Sequence, residues 1–79
     1  MQLVWEQTRN DSIADTRIAD IGSYRFVVSE EKDSPSPRPV YGSLLHIVQG
    51  GTYLLESGQY KTRQTAIAAL VRKSRKYSI

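Results

Sequence analysis

The stretch from Val40 to Ser57, VYGSLLHIVQGGTYLLES, constrains this chain most, because it reads as a β-hairpin with apolar residues on both faces. Gly50-Gly51 offers two residues that accept positive φ, which a tight two-residue connection between antiparallel strands demands. Counting outward from that pair sets Gln49 against Thr52, Val48 against Tyr53, Ile47 against Leu54, His46 against Leu55 and Leu45 against Glu56. One face then shows Leu44, His46, Val48, Tyr53 and Leu55, and the other Tyr41, Leu45, Ile47 and Leu54. A ribbon that is greasy on both sides needs cover on both.

One cover is legible at the C-terminal end, GQYKTRQTAIAALVRKSRKYSI. Thr62 reads as the N-cap of a helix that continues through the strong helix formers of AIAAL. At 100° per residue, Ile67, Leu70, Val71 and Ser74 form one stripe, with Ala66 and Tyr77 at its edge. Arg72 and Lys76 point away from that stripe, and Lys73 and Arg75 flank it. Such a helix shields a single face. The other face requires the N-terminal segment with Trp5, the proline loop, a second copy of the chain, or a partner.

The remaining chain supplies more strands. Gln2–Gln7 reads as a first strand followed by a turn in TRNDS, and Tyr24 to Val28 alternates Tyr24, Phe26 and Val28 on one face. Ile13 to Ile21 reads as a further strand, since Gly22-Ser23 suits a hairpin. Lys32–Pro39, KDSPSPRP, is an extended surface loop, because alternate prolines remove amide donors. The expected fold is α+β: residues 1–79 form a single domain, an antiparallel meander of three to five strands with one C-terminal helix across one face.

A chain of 79 residues buries only about 60% of the surface it exposes when unfolded, and no cysteine is present to staple it. The lack of cysteine, of a secretory leader pattern and of an apolar run near 20 residues implies a cytoplasmic protein with no membrane partner. Charge is segregated. Residues 1–56 hold five cations against eight acids, a net of −3, whereas residues 57–79 hold six cations and no acid, a net of +6.

Catalytic kits are missing from the sequence. His46 is the single histidine, set among Leu44, Leu45, Ile47 and Val48, and it reads as a sheet residue with a satisfied hydrogen bond. No cysteine or second histidine can join it around a metal, and no strained elbow or glycine-rich motif accompanies it, so no catalytic, metal or cofactor residues are assigned. The basic cluster supports two readings. Arg72, Lys73, Arg75 and Lys76 complement the helix dipole and keep the outer face wet; the same four with Lys61 and Arg63 could also neutralise phosphates, with little base selectivity.

The strand–turn–strand ending, with GQYKTRQTAIAAL after it, resembles the N-terminal arm-binding domain of phage-type integrases, a three-stranded sheet packed on one helix. LVWE, GSYRFVV and the same closing segment also resemble small phage or prophage proteins. In the integrase-type domain the sheet enters the DNA groove, whereas the strands here offer only Arg17 and Arg25 beside Asp15, Asp20 and Glu56. The resemblance implies a non-catalytic interaction protein of phage or mobile-element type, an inhibitor or anti-defence factor docking on a host protein or nucleoprotein complex. The exposed sheet face would carry the contact through Tyr41, Leu45, Ile47, Tyr53 and Leu54, either to that partner or in a homodimer. The alternative is a nucleic-acid-binding module using Lys61, Arg63, Arg72, Lys73, Arg75 and Lys76.

Overall fold

The computed structural model describes residues 2–79. Five strands, β1 (Glu6–Asn10), β2 (Ala14–Ile21), β3 (Tyr24–Glu31), β4 (Val40–Val48) and β5 (Gly51–Tyr60), form one antiparallel sheet in the order β1-β2-β3-β4-β5. Helix α1 (Arg63–Ser74) follows and tightens into a 3-10 turn at Arg75–Tyr77. The fold is thus α+β, a five-stranded meander with a single C-terminal helix.

Alternation along the strands decides which side the helix takes. Phe26 and Val28 on β3, Val40 and Leu44 on β4 and Ala19 on β2 are buried with Ala66 and Leu70 of α1. Leu3, Trp5, Leu55, Tyr60, Ile67 and Tyr77 pack around that cluster. Leu3 and Trp5 therefore roof the helix side of the sheet and not its reverse. The buried helical stripe runs Ala66, Ala69, Leu70 and Ser74, so it is rotated from the expected one: Val71 lies at the flank and Ala69 underneath. Small side chains decide this, because Ala66 and Ala69 let the helix settle close to the strands. Gly42 serves the same end: a Cβ placed there would lie 3.2 Å from both Leu70 Cδ1 and Tyr60 Cε2.

Local signals set the connections. Thr62 caps α1, its side chain accepting from Thr65 N–H at 3.1 Å. Asp11 Oδ1 accepts from the N–H groups of Ile13 (2.8 Å) and Ala14 (3.0 Å), and this side-chain turn joins β1 to β2. The first strand therefore starts at Glu6 and runs through Thr8, Arg9 and Asn10, later than the expected Gln2–Gln7. Residues 32–39 carry no strand or helix, and Glu31 N–H bonds Pro39 C=O at 2.9 Å to close that loop.

The β4–β5 hairpin differs from expectation in register. Val48 faces Gly51, Ile47 faces Thr52, His46 faces Tyr53 and Leu45 faces Leu54, so Gln49-Gly50 makes the turn and positive φ (87°) falls on Gly50 alone. The slip is by two residues in pairing, which leaves each side chain on its expected face. A bulge at Leu55 then advances the pairing to Leu44 against Glu56, turning Glu56, Gly58 and Tyr60 toward the helix side.

Candidate functional site

Among the described residues the reverse of the sheet carries no helix, and of the buried side chains only the small Ala14, opposite Glu31 at the start of β2, stands on it. Cross-strand partners share a face, so this open face can be assembled from the register. Ile18 faces Val27, which is diagonal to Leu45; Leu45 faces Leu54, and Ile47 follows Leu45 on the same strand. The result is an apolar stripe running obliquely across four strands. Leu54 is 62% exposed, and Tyr41, at one side of the stripe, 40%.

Polar pairs flank the stripe. Arg25 makes a two-pronged contact with Asp20, Nε to Oδ1 at 2.7 Å and Nη2 to Oδ2 at 3.0 Å, and these bonds hold the Asp20 carboxyl below its ordinary range. On the other flank Tyr41 Oη donates to Glu31 at 3.2 Å, and the carboxylate's charge holds the phenol above its ordinary value of 10.0. Thr16 and Ser29 share a hydroxyl contact at 2.8 Å. The face is thus apolar along its middle, with Asp20, Arg25, Thr16, Ser29 and Tyr41 already bonded at its margins.

Of the five residues expected on this face, the structure puts four together: Tyr41, Leu45, Ile47 and Leu54. Tyr53 is not with them. It lies opposite His46 on the helix side, beyond the core, and is 61% exposed. Ile18 and Val27 complete the stripe and were missed; Val27 was legible as the outward residue between Phe26 and Val28.

His46 stacks on Tyr24 with ring centroids 4.4 Å apart, and its Nε2 lies 3.0 Å from Ser23 Oγ. Ser23 C=O also accepts from Ile47 N–H at 2.7 Å, so the pair fastens the β2–β3 turn to β4. A serine activated by histidine needs the ring oriented by a third group. Among the described residues no carboxylate bonds the imidazole, and no three His, Cys, Asp or Glu side chains gather as metal ligands.

The six basic residues are only partly available. Arg63 Nη2 is 3.0 Å from both Asp15 Oδ2 and Glu30 Oε1, turned inward onto the sheet. Lys76 Nζ lies 3.1 Å from Glu56, and Lys73 Nζ donates to Tyr60 Oη at 3.3 Å. Lys61, Arg72 and Arg75 remain exposed and without an ion pair among the described residues. The strand cations are engaged as well: Arg17 with Asp15 at 3.2 Å, Arg25 with Asp20 and Arg9 with Asp11. No helix among the described residues is long and apolar enough to cross a membrane. In comparisons with protein-family models, curated proteins and solved structures the chain finds no match, so the likeness to integrase arm-binding domains rests on the residues quoted for it.

Proposed function

We propose that this protein is a non-catalytic interaction module that docks on a partner protein through the open face of its sheet. The observation that carries the reading is the stripe Ile18–Val27–Leu45–Leu54 with Ile47, an apolar surface on the side away from the helix in which Leu54 is exposed and the other four are half-buried. Its margins favour a protein over a phosphate backbone. The strands' open face sets Glu6, Asp20 and Glu31 against Arg9 and Arg25, and both guanidiniums are already tied to carboxylates. A complementary surface would be flat and apolar at its centre, with donors for Glu6 and Glu31 at its rim. The narrower form of this reading, a phage-type inhibitor of a host protein or nucleoprotein complex, draws on the sequence resemblance alone.

The nucleic-acid reading keeps one supporting feature, the exposed cations Lys61, Arg72 and Arg75. Affinity capture with the native chain, with Ile47→Asp and with Arg72→Glu, each with and without nuclease, separates the two. A protein retained by the native chain and by Arg72→Glu, insensitive to nuclease and lost with Ile47→Asp, is the expected result. Capture that survives Ile47→Asp, or that vanishes with nuclease, overturns the proposal.

A further inference from the structure

The sheet has two free edges of unlike chemistry. β1 is five residues long, wholly exposed, carries Glu6 and Arg9, and is irregular at Thr8, features that discourage another strand from adding there. β5 is ten residues long and contains no lysine, arginine or proline. Its single ionic side chain, Glu56, is drawn toward the helix, where it accepts from Tyr77 Oη at 2.6 Å and pairs with Lys76. Edge β5 is unguarded.

Ladder alternation fixes which of its backbone groups are free. Glu31 N–H to Pro39 C=O and Ile47 N–H to Ser23 C=O mark the odd-numbered residues of β4 as those bonded toward β3, so its even-numbered residues bond toward β5. Their partners there are Gly51, Tyr53, Glu56, Gly58 and Tyr60. Thr52, Leu54, Ser57 and Gln59 therefore turn their N–H and C=O groups outward. The bulge makes the step from Leu54 to Ser57 three residues, where the steps on either side are two.

A regular strand presents outward groups at every second residue, so it can match one half of this edge and then falls out of phase. A strand with the same interruption can match all of it, and this chain carries one. Run antiparallel against its own copy, Thr52 meets Gln59, Leu54 meets Ser57, and the two bulges lie opposite each other at the twofold axis. Facing agrees as well. Thr52 pairs with Ile47, Leu54 with Leu45, Ser57 with Ser43 and Gln59 with Tyr41, so all four side chains stand on the open face, as paired antiparallel residues must. The charges nearest the axis, Glu56 and Lys76, already cancel within each copy.

We infer that the chain forms a symmetric dimer by antiparallel pairing of β5 with β5 of a second copy, an isologous contact that doubles the five strands into one continuous sheet. Both open faces then lie on one side and both helices on the other. The dimer stands whether or not the open face has a further partner.

Sedimentation across a concentration series tests it. The native chain is expected at twice 8.9 kDa. Ser57→Pro removes an outward N–H, and Leu54→Lys puts a charge on the edge; each should halve the mass with the far-ultraviolet dichroism unchanged, whereas Ile47→Asp, on the same face but away from the edge, should stay dimeric. Should Ser57→Pro not fold, Leu54→Lys decides. The register has its own readout, because the chain has no cysteine: an oxidised mixture of Leu54→Cys and Ser57→Cys should give a covalent dimer that neither variant gives alone. A native chain that stays monomeric up to about 1 mM, the weak limit of specific association, overturns the inference, as does a dimer that survives Leu54→Lys.

Discussion

Arg63 opens helix α1 and Asp15 sits on β2, 48 residues apart in the chain, yet the guanidinium Nη2 and the carboxylate Oδ2 lie 3.0 Å from each other. The helix has no acid in its first turn, so Arg63 stands at the positive end of the helix dipole, an unfavourable place for a cation. Asp15 and Glu30 supply the missing negative charge from the sheet. At the other end Glu56 receives Tyr77 Oη and Lys76. The helix is clamped at both termini by acids that belong to strands, and part of its basic face serves the fold.

Those clamps give stability an acid limb. Asp15 is held below its ordinary value of 3.8, chiefly by the Gln7 and Arg17 hydrogen bonds, and Glu56 below its ordinary 4.5, chiefly by Tyr77 and then Lys76. A carboxyl depressed in the folded state contributes stability that is complete above its unfolded value and lost as pH falls toward the folded one. Urea midpoints should be level above about pH 5 and decline below it. Asp15→Asn and Glu56→Gln should each flatten the decline. At alkaline pH the sign reverses: Tyr77 and Tyr41 are held above 10.0 by Glu56 and Glu31, so their contribution is complete below pH 10 and lost as pH rises past it.

Helix docking rests on Leu70, fully buried above Gly42. Leu70→Ala should cost about 2–5 kcal/mol, against a total near 4–12 kcal/mol for a chain this size at about 0.05–0.15 kcal/mol per residue. Gly42→Val should cost about 1–3 kcal/mol by pushing the helix outward. The double variant should lose less than the sum, since the valine enters space that the shortened side chain vacates. Denaturant melts of the four proteins measure that coupling.

What the sequence made legible were features with a local cause. Tyr24, Phe26 and Val28 alternate because one side of their strand meets the core, Gly22-Ser23 turns a hairpin, and Thr62 caps a helix with its own hydroxyl. A first strand was legible but its bounds were not, for the opposite reason: Glu6–Asn10 is polar and exposed throughout, so no period marks where it runs, and its end is set by Asp11 accepting two backbone N–H groups. The bulge at Leu55 carries no glycine or proline to announce it, yet it turns Glu56 toward the helix. The sequence showed six cations and no acid after Glu56; only tertiary placement shows Arg63 and Lys76 already paired with carboxylates.

That placement bounds nucleic-acid binding by the C-terminal cluster. With Lys61, Arg72 and Arg75 as the exposed unpaired cations of the six, about three phosphates could be neutralised, and log K against log salt for duplex DNA should slope no more steeply than about −3. All six acting together would give roughly −5. A titration of labelled duplex between low and moderate salt distinguishes these, and the steeper slope would require Arg63 and Lys76 to leave their carboxylates.

The open face can be told from the core by what mutation does to folding. Leu54 and Tyr41 are well exposed, and a substitution at such positions leaves stability within about 0.5 kcal/mol when no folded contact is lost. Leu54→Asp should therefore melt like the native chain, and Tyr41→Ser should lose little beyond its one bond to Glu31. Val28 and Phe26, on the same strand but facing the helix, are fully buried, and Val28→Asp should abolish folding by placing an unpaired charge in the core. Matched urea melts make the comparison. If Leu54→Asp unfolds the chain as Val28→Asp does, the stripe belongs to the core and has no spare surface to offer; if it melts normally while association is lost, apolar area has been kept on that face for a purpose other than folding.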